Sequence, residues 1–243
     1  MIDIGFDRYD RNARLKPALL ALLPLMLLTA VWLKDAWATA TALLGLVIFC
    51  GLILFLSRIA RQRGRAVQAK IENDLGGLPT TIALRRRDTT IDPQTKERYY
   101  KFFSEHGHQV PTADEEKLSG AAADLSYRAC VTWLLEQTRD KRRFRMIADE
   151  NIDYGFRRNL FGLRNVAISV ALFCIVINSV AIVSVLASHG TGLWTGIVLE
   201  AVLAMLVVAW IAVVTPDFVR DAAWSYATRL LAACDILSAQ PAS

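Results

Sequence analysis

Histidine and cysteine are scarce here: three His and four Cys in 243 residues. No CxxC pair or metal-ligand spacing joins them. His106 and His108 lie beside Glu105, but ligands from neighbouring positions of one loop make a poor coordination shell, so no metal is expected. Cys50, Cys130, Cys174 and Cys234 are scattered and are expected as reduced, buried thiols. Also missing are a P-loop, a GxSxG elbow, an HExxH helix and a Rossmann glycine pattern. Asp149, Glu150 and Asp153 share a stretch with Arg142, Arg143 and Arg145. The four-residue spacing of Arg145, Asp149 and Asp153 reads as a salt-bridged face rather than an acid–base pair. No enzyme activity, no catalytic residue and no cofactor is expected.

Charge is missing from four long stretches. Pro17–Leu33, Ala36–Ser57, Asn165–Ala187 and Leu193–Val214 contain no Lys or Arg, and only the last contains an acid, Glu200. Each is long enough to cross ~30 Å of hydrocarbon at ~1.5 Å per residue. A soluble core helix is rarely apolar on all sides for so long. Four transmembrane helices are expected. The first run has a basic lead and an Ala38-Thr39-Ala40 site of the signal-peptidase kind. It is long for a signal peptide, however, and Lys34-Asp35 turns straight into another span, which favours a membrane hairpin. Pro24 inside that run is expected to kink it.

Orientation follows from Lys and Arg. Arg8, Arg11, Arg14 and Lys16 precede the first span. Arg58, Arg61, Arg63 and Arg65 follow the second, and Arg157, Arg158 and Arg164 precede the third. The two short tips carry only Lys34. Both termini and the middle segment are therefore expected in the cytoplasm, with Trp32, Trp37 and Trp194 as an aromatic belt at the outer ends. The formal charge of +5 reflects topology, and duplex nucleic acid is not an expected partner. The fold class is an all-α membrane protein. Residues 1–16 form a cytoplasmic lead, 17–57 a first transmembrane hairpin, 58–164 a mainly helical cytoplasmic region, 165–214 a second hairpin and 215–243 a C-terminal amphipathic helix. Ile2, Ile4, Phe6 and Tyr9 fit either an interfacial helix or a charged lead that only sets topology.

The middle region has clear punctuation. The helix continuing from the second span should stop at Gly76-Gly77. Thr80–Leu84 has strand character. Asp92 and Pro93 should open a helix that Gly107 follows, with Tyr99, Phe102 and Phe103 as an aromatic stripe for core or subunit contact. One helical turn is expected at Asp114–Leu118. Ala121–Thr138 reads as an amphipathic helix with Leu125, Ala129, Val131, Trp133 and Leu134 inward. Phe144–Phe161 should run into the third span, with Gly155 and Gly162 as bends. Thr215 and Pro216 should open a tail helix that buries Val219, Ala222, Tyr226, Leu230, Ala233 and Leu237.

Two groups of residues are candidates for function. Arg85, Arg86 and Arg87 lie far from either membrane end, so topology does not demand them. Forked guanidinium donors suit phosphate, and Lys141, Arg142 and Arg143 form a second such cluster. The alternative is a solvated face or a contact with acids of another subunit. Glu200 is the other candidate. An ionisable group inside a span is expensive and usually functional. Asn178 falls at a comparable depth on the preceding span, and serines add polarity there. Glu200 either holds two helices together through Asn178 or a serine, or lines an oligomeric pore that favours cations. A small transporter with Glu200 as proton relay and a membrane scaffold without a pore are the other classes.

With its layout and segments such as GGLPTTIALRRRD (76–88), TKERYYKFFSEHG (95–107) and ENIDYGFRRNLFGLR (150–164), the chain resembles the four-transmembrane pore-forming effectors of bacterial anti-phage systems. CBASS four-helix effectors and the membrane component of Hailong systems are the nearest such families. The resemblance implies a homo-oligomer, a tetramer being favoured, in the bacterial inner membrane. It would respond to a nucleotide or oligonucleotide second messenger and depolarise the membrane. Arg85–Arg87 and Lys141–Arg143 would then bind the messenger, and Glu200 and Asn178 would line the path through the lipid bilayer.

Overall fold

Pro17, Pro79, Pro93, Gly120, Gly192 and Pro216 each mark the start of a helix. The computed structural model describes residues 7–33 and 41–239, with only the backbone given for 41 and 42. A turn of helix, α1 (Arg8–Asp10), leads through a π-helical turn (Arg11–Leu15) into α2 (Lys16–Trp32). Then come α3 (Thr41–Leu75), α4 (Pro79–Leu84), α5 (Pro93–Glu105), α6 (Ala113–Leu118) and α7 (Gly120–Gln137). The last are α8 (Arg145–Ala187), α9 (Leu193–Ala212), α10 (Pro216–Leu231) and α11 (Ala233–Ser238). There is no strand among the described residues. Four helical stretches are long and apolar enough to cross a membrane, so the chain is an all-helical, multi-pass membrane protein. The Lys34-Asp35 turn, the Ala38-Thr39-Ala40 site, Trp37 and the apolar positions Ile2, Ile4 and Phe6 lie outside the described residues.

The chain folds into two units, residues 1–68 with 155–219, and 69–154 with 220–243. In the first unit small residues let helices approach closely, as membrane helices require. Ala18 and Ala21 of α2, Ala60 of α3 and Ala167 of α8 are fully buried in one cluster with Leu22, Leu163 and Trp210. Gly155 and Gly162 sit within the uninterrupted helix α8, where both are points of close contact. A Cβ at Gly162 would lie 2.9 Å from the backbone nitrogen of Gly64, and one at Gly155 would lie 2.5 Å from the Tyr9 hydroxyl. Buried Asn159 donates to the Ala13 carbonyl at 2.7 Å, and Arg158 donates to Gln68. Arg164 reaches the Trp210 and Ile211 carbonyls, both at 3.2 Å, and so satisfies the last turn of α9.

The second unit has a continuous aromatic core. Tyr99, Tyr100, Phe102 and Phe103 of α5 pack with Tyr127, Cys130 and Leu134 of α7, with Phe144 and Ile147, and with Leu230, Leu231 and Cys234. Its caps follow the sequence. The Asp92 carboxylate accepts from the Thr95 amide at 2.8 Å, and Thr112 and Glu115 form a reciprocal capping box; in the first unit the Thr215 hydroxyl, next to Pro216, accepts from the Phe218 amide at 3.3 Å. Gly76 at φ 74° and Gly77 at φ 150° end α3, where the Gly77 amide returns to the Glu72 carbonyl at 2.8 Å.

Three local expectations are corrected. Thr80–Leu84 is helical, not extended. Pro79 at the first helical position starts the turn and all six residues from Pro79 to Leu84 are buried, so tertiary packing overrides the β-branched run. In α7, Leu125 and Ala129 are exposed, while Ala123, Tyr127 and Cys130 face the core with Val131 and Leu134. The inward face is thus rotated from the expected one, because the aromatic ring of Tyr127 fills the core against Tyr100. Cys50 is exposed on α3, whereas the other three thiols are buried. The tail stripe is as expected: Val219, Ala222, Leu230 and Ala233 are buried, and Tyr226 and Leu237 are partly so.

Candidate functional site

Asn178 is completely buried inside the most apolar part of the first unit. Its amide is fully used. The oxygen accepts from the Trp32 indole at 2.8 Å, and the nitrogen donates to the Gly196 carbonyl at 2.9 Å and to Glu200 Oε2 at 2.7 Å. An indole N–H only donates and a carbonyl only accepts, so this environment fixes which way the amide points. Glu200 Oε2 is therefore an acceptor. Its Oε1 lies 2.8 Å from the Ser179 hydroxyl. The two carboxylate oxygens thus each have a partner, both on α8.

The sequence builds this cluster with simple spacings. Asn178 and Ser179 are neighbours at one level of α8, and Gly196 and Glu200 are one turn apart on the same face of α9. Gly196 is a point of close packing. A Cβ there would meet Ile182 at 2.7 Å and Trp32 at 3.1 Å. Glycine therefore leaves room for the indole and for Ile182 beside the carbonyl that Asn178 reaches. Leu28, Cys174, Leu199 and Leu203 form the apolar packing of this region. Glu200 itself is only half-buried, so a carboxylate is held at the rim of an otherwise apolar helix group.

Sequence reasoning paired Glu200 with Asn178 and with a serine, and the structure brings all three together. It missed Trp32, which was read as a belt residue, and Gly196. An indole one residue from the end of an apolar run, on the helix turn opposite the amide, was the available signal.

The arginine clusters have a different character. Arg85 makes a forked pair with Asp124, at 2.9 and 2.7 Å, and also donates to the Gly76 carbonyl at 2.7 Å. The hydrogen bond to Asp124 and the charge of that carboxylate raise the Arg85 pKa above its ordinary value. Arg86 donates to the Pro111 carbonyl at 2.9 Å and Glu97 at 3.0 Å, and its guanidinium lies 4.5 Å from the centre of the Tyr100 ring. Both guanidinium groups are thus already engaged inside the fold. Arg87 is exposed, as are Lys141, Arg142 and Arg143.

Lys96 was not anticipated. It is 3% exposed, and its ammonium donates to the Arg85 carbonyl at 2.7 Å and the Asp88 carbonyl at 2.5 Å. Burial lowers its pKa. It pins the arginine loop against α5, and with Arg86, Thr89 and Tyr100 it lines a cleft of about 340 Å³. A larger cleft, of about 630 Å³, lies between His108, Thr112, Ser119 and Ser126. No group of three metal-binding side chains occurs among the described residues.

Fold and cluster define a class: a helical, multi-pass membrane protein with a hydrogen-bonded carboxylate among its apolar helices. No family model, curated protein or solved structure matches this chain.

Proposed function

We propose that this chain is a homo-oligomeric, ligand-controlled ion channel of the bacterial inner membrane, with two transmembrane hairpins and both termini in the cytoplasm. One observation carries the reading. Glu200 is held at the rim of the apolar helices, half-buried and oriented by Asn178 and Ser179. An ionised group facing lipid is strongly disfavoured, whereas one facing water or a neighbouring subunit is not. A symmetric ring of such carboxylates would line a water-filled path and favour cations. Four helices of one copy enclose no such path easily, so the ring needs several copies, with a tetramer as the first expectation.

In this reading the protein acts in anti-phage defence, and a nucleotide or oligonucleotide messenger bound by the cytoplasmic helices controls depolarisation. The exposed cations Arg87, Lys141, Arg142 and Arg143 are the phosphate ligands of this reading. Arg85 and Arg86 would have to exchange internal partners for the messenger.

The test is electrical. In a reconstituted bilayer, Glu200→Ala should change conductance or cation selectivity while oligomer size is kept; unchanged currents would sink the pore assignment. Arg86→Ala should abolish the response to the messenger, and Arg87→Ala with Arg142→Ala should weaken it without disturbing the fold. An unaltered dose curve for all of them would remove the sensor. A membrane-potential assay in cells, with and without a neighbouring nucleotidyltransferase, tests the biological setting. The enclosed, fully bonded Asn178 favours a second reading, a pore-free membrane scaffold in which this cluster only joins helices.

A further inference from the structure

Many arginines of the chain are tied to an acid, a carbonyl or an amide. Arg14 pairs with Asp10, Arg85 with Asp124, Arg98 with Asp235 and Arg220 with Asp74. Arg158 meets Gln68, and Arg164 meets backbone carbonyls. The segment that follows the apolar part of α3 differs. Arg58, Arg61 and Arg65 are exposed, and their side chains have no ion pair or hydrogen bond among the described residues.

Their register is specific. Positions 47, 51, 54, 58, 61 and 65 are spaced by three or four residues, so Val47, Gly51, Leu54, Arg58, Arg61 and Arg65 form one stripe along the helix. All six are exposed. Val47 is 66% and Leu54 is 46% exposed, and a Cβ at Gly51 would touch nothing within 4 Å. The stripe is thus a shallow apolar track, notched at Gly51, that turns cationic at Arg58. From residue 47 to residue 58 the helix rises ~16 Å at ~1.5 Å per residue, which is about the thickness of one leaflet's hydrocarbon. Arg58 and Arg61 then fall at the depth of the headgroups and Arg65 at their outer edge. Topology alone would need only a count of positive charges. It does not need three of them unpaired on the face that carries Gly51.

We propose that this stripe is a binding site for an anionic phospholipid, with an acyl chain along Val47–Leu54 and the phosphodiester held by Arg58 and Arg61. Arg65 adds charge at the rim. Guanidinium forks suit a phosphate, and each basic side chain near an anionic surface contributes about 1 kcal/mol. This site does not depend on Glu200 or on a pore.

The experiment uses the full chain in neutral detergent, titrated with phosphatidylglycerol or phosphatidylcholine and read by native mass spectrometry. Three arginines predict a preference for phosphatidylglycerol on the order of 100-fold, falling as salt is raised. The variant Arg58→Gln, Arg61→Gln, Arg65→Gln should reduce it to a few-fold. The matched variant Arg128→Gln, Arg139→Gln, Arg229→Gln, with three exposed cations of the other unit, should keep it. Gly51→Leu fills the notch without touching charge and should weaken lipid retention, so it carries the test if the triple variant does not purify. Equal binding of the two lipids, an unchanged preference in the stripe variants, or competition by inorganic phosphate at comparable concentration would each overturn the proposal.

Discussion

Asn178 has no spare hydrogen-bonding group, and that makes it a sensitive position. Truncating it leaves the Trp32 indole, one Gly196 lone pair and Glu200 Oε2 without their partner at a fully buried position. Interhelical hydrogen bonds in membranes average below 1 kcal/mol, but stranding buried partners costs more. Asn178→Ala should therefore lower stability by about 1–3 kcal/mol, read as a lower Tm in detergent. Trp32→Phe removes one donor and keeps the apolar ring, so its effect should be smaller. Equal Tm values for wild type and Asn178→Ala would mean that the cluster does not hold the helices. The same substitutions separate the two roles of Glu200. If the cluster only joins helices, stability falls and conduction does not exist to be altered. If Glu200 lines a path, Glu200→Gln should keep both hydrogen-bond partners and most of the stability but change cation selectivity.

Helices carry a second kind of information, the points where they touch. Gly64 and Gly162 meet backbone to backbone, since a Cβ on Gly162 would come 2.9 Å from the Gly64 nitrogen and 3.0 Å from the Arg63 carbonyl carbon. Neither neighbour is a flexible side-chain end. Gly162→Leu should therefore force the helices apart, costing at least the 1–3 kcal/mol typical of overpacking, and its purified yield and Tm should fall. Gly51→Leu on the open face should change neither, which provides the control. The aromatic core of the second unit makes a prediction in pH. Burial raises Tyr99 and Tyr100 to about 12, and burial together with the hydrogen bond to Glu116 raises Tyr127 further. Their folded values lie above the unfolded value near 10. The folded state thus holds protons that the unfolded state releases. Stability is fully present below pH ~10 and is lost as pH rises through the folded values. Tyrosinate absorbance should therefore appear in two phases, the buried three only with loss of helix signal. A single phase near pH 10 would contradict their burial.

Much of this was legible in the sequence because its signals are local. Asp92-Pro93, Thr215-Pro216 and Gly76-Gly77 fix boundaries through caps and φ angles that depend on a few residues. The four apolar runs and Glu200 are visible as composition. What stayed hidden depends on a second element. Thr80–Leu84 is helical because its surroundings bury it, Leu125 faces out because Tyr127 takes the core position, and Gly155 and Gly162 are contacts because α1, the π-helical turn and α3 lie against them. The internal spending of Arg85 and Arg86 likewise needed Asp124, Glu97 and Pro111, residues between 11 and 39 positions away.

At the scale of the whole molecule the outward faces of the apolar helices set the remaining question. Leu43, Phe55, Phe173, Val180, Trp194 and Val208 are each at least 60% exposed. Lipid can cover such a face at no cost, because hydrocarbon is as apolar as leucine. Lipid cannot equally cover Glu200, which shares the surface with them. A single copy in a bilayer would therefore present one carboxylate toward hydrocarbon, whereas a ring turns it inward to water or to its symmetry mates. The expected outcome is a closed homo-oligomer in detergent, by light scattering or mass photometry, with the tetramer as the leading state. Glu200→Leu removes the disfavoured group. If the carboxylate only needs cover from lipid, this variant should assemble as well as wild type and be as stable or more so. If ionic coordination across the ring helps to set the subunit number, its mass distribution should shift. A monomeric wild type would exclude the proposed path, which lies between copies; within one copy the buried Asn178 bonds α2, α8 and α9 to one another.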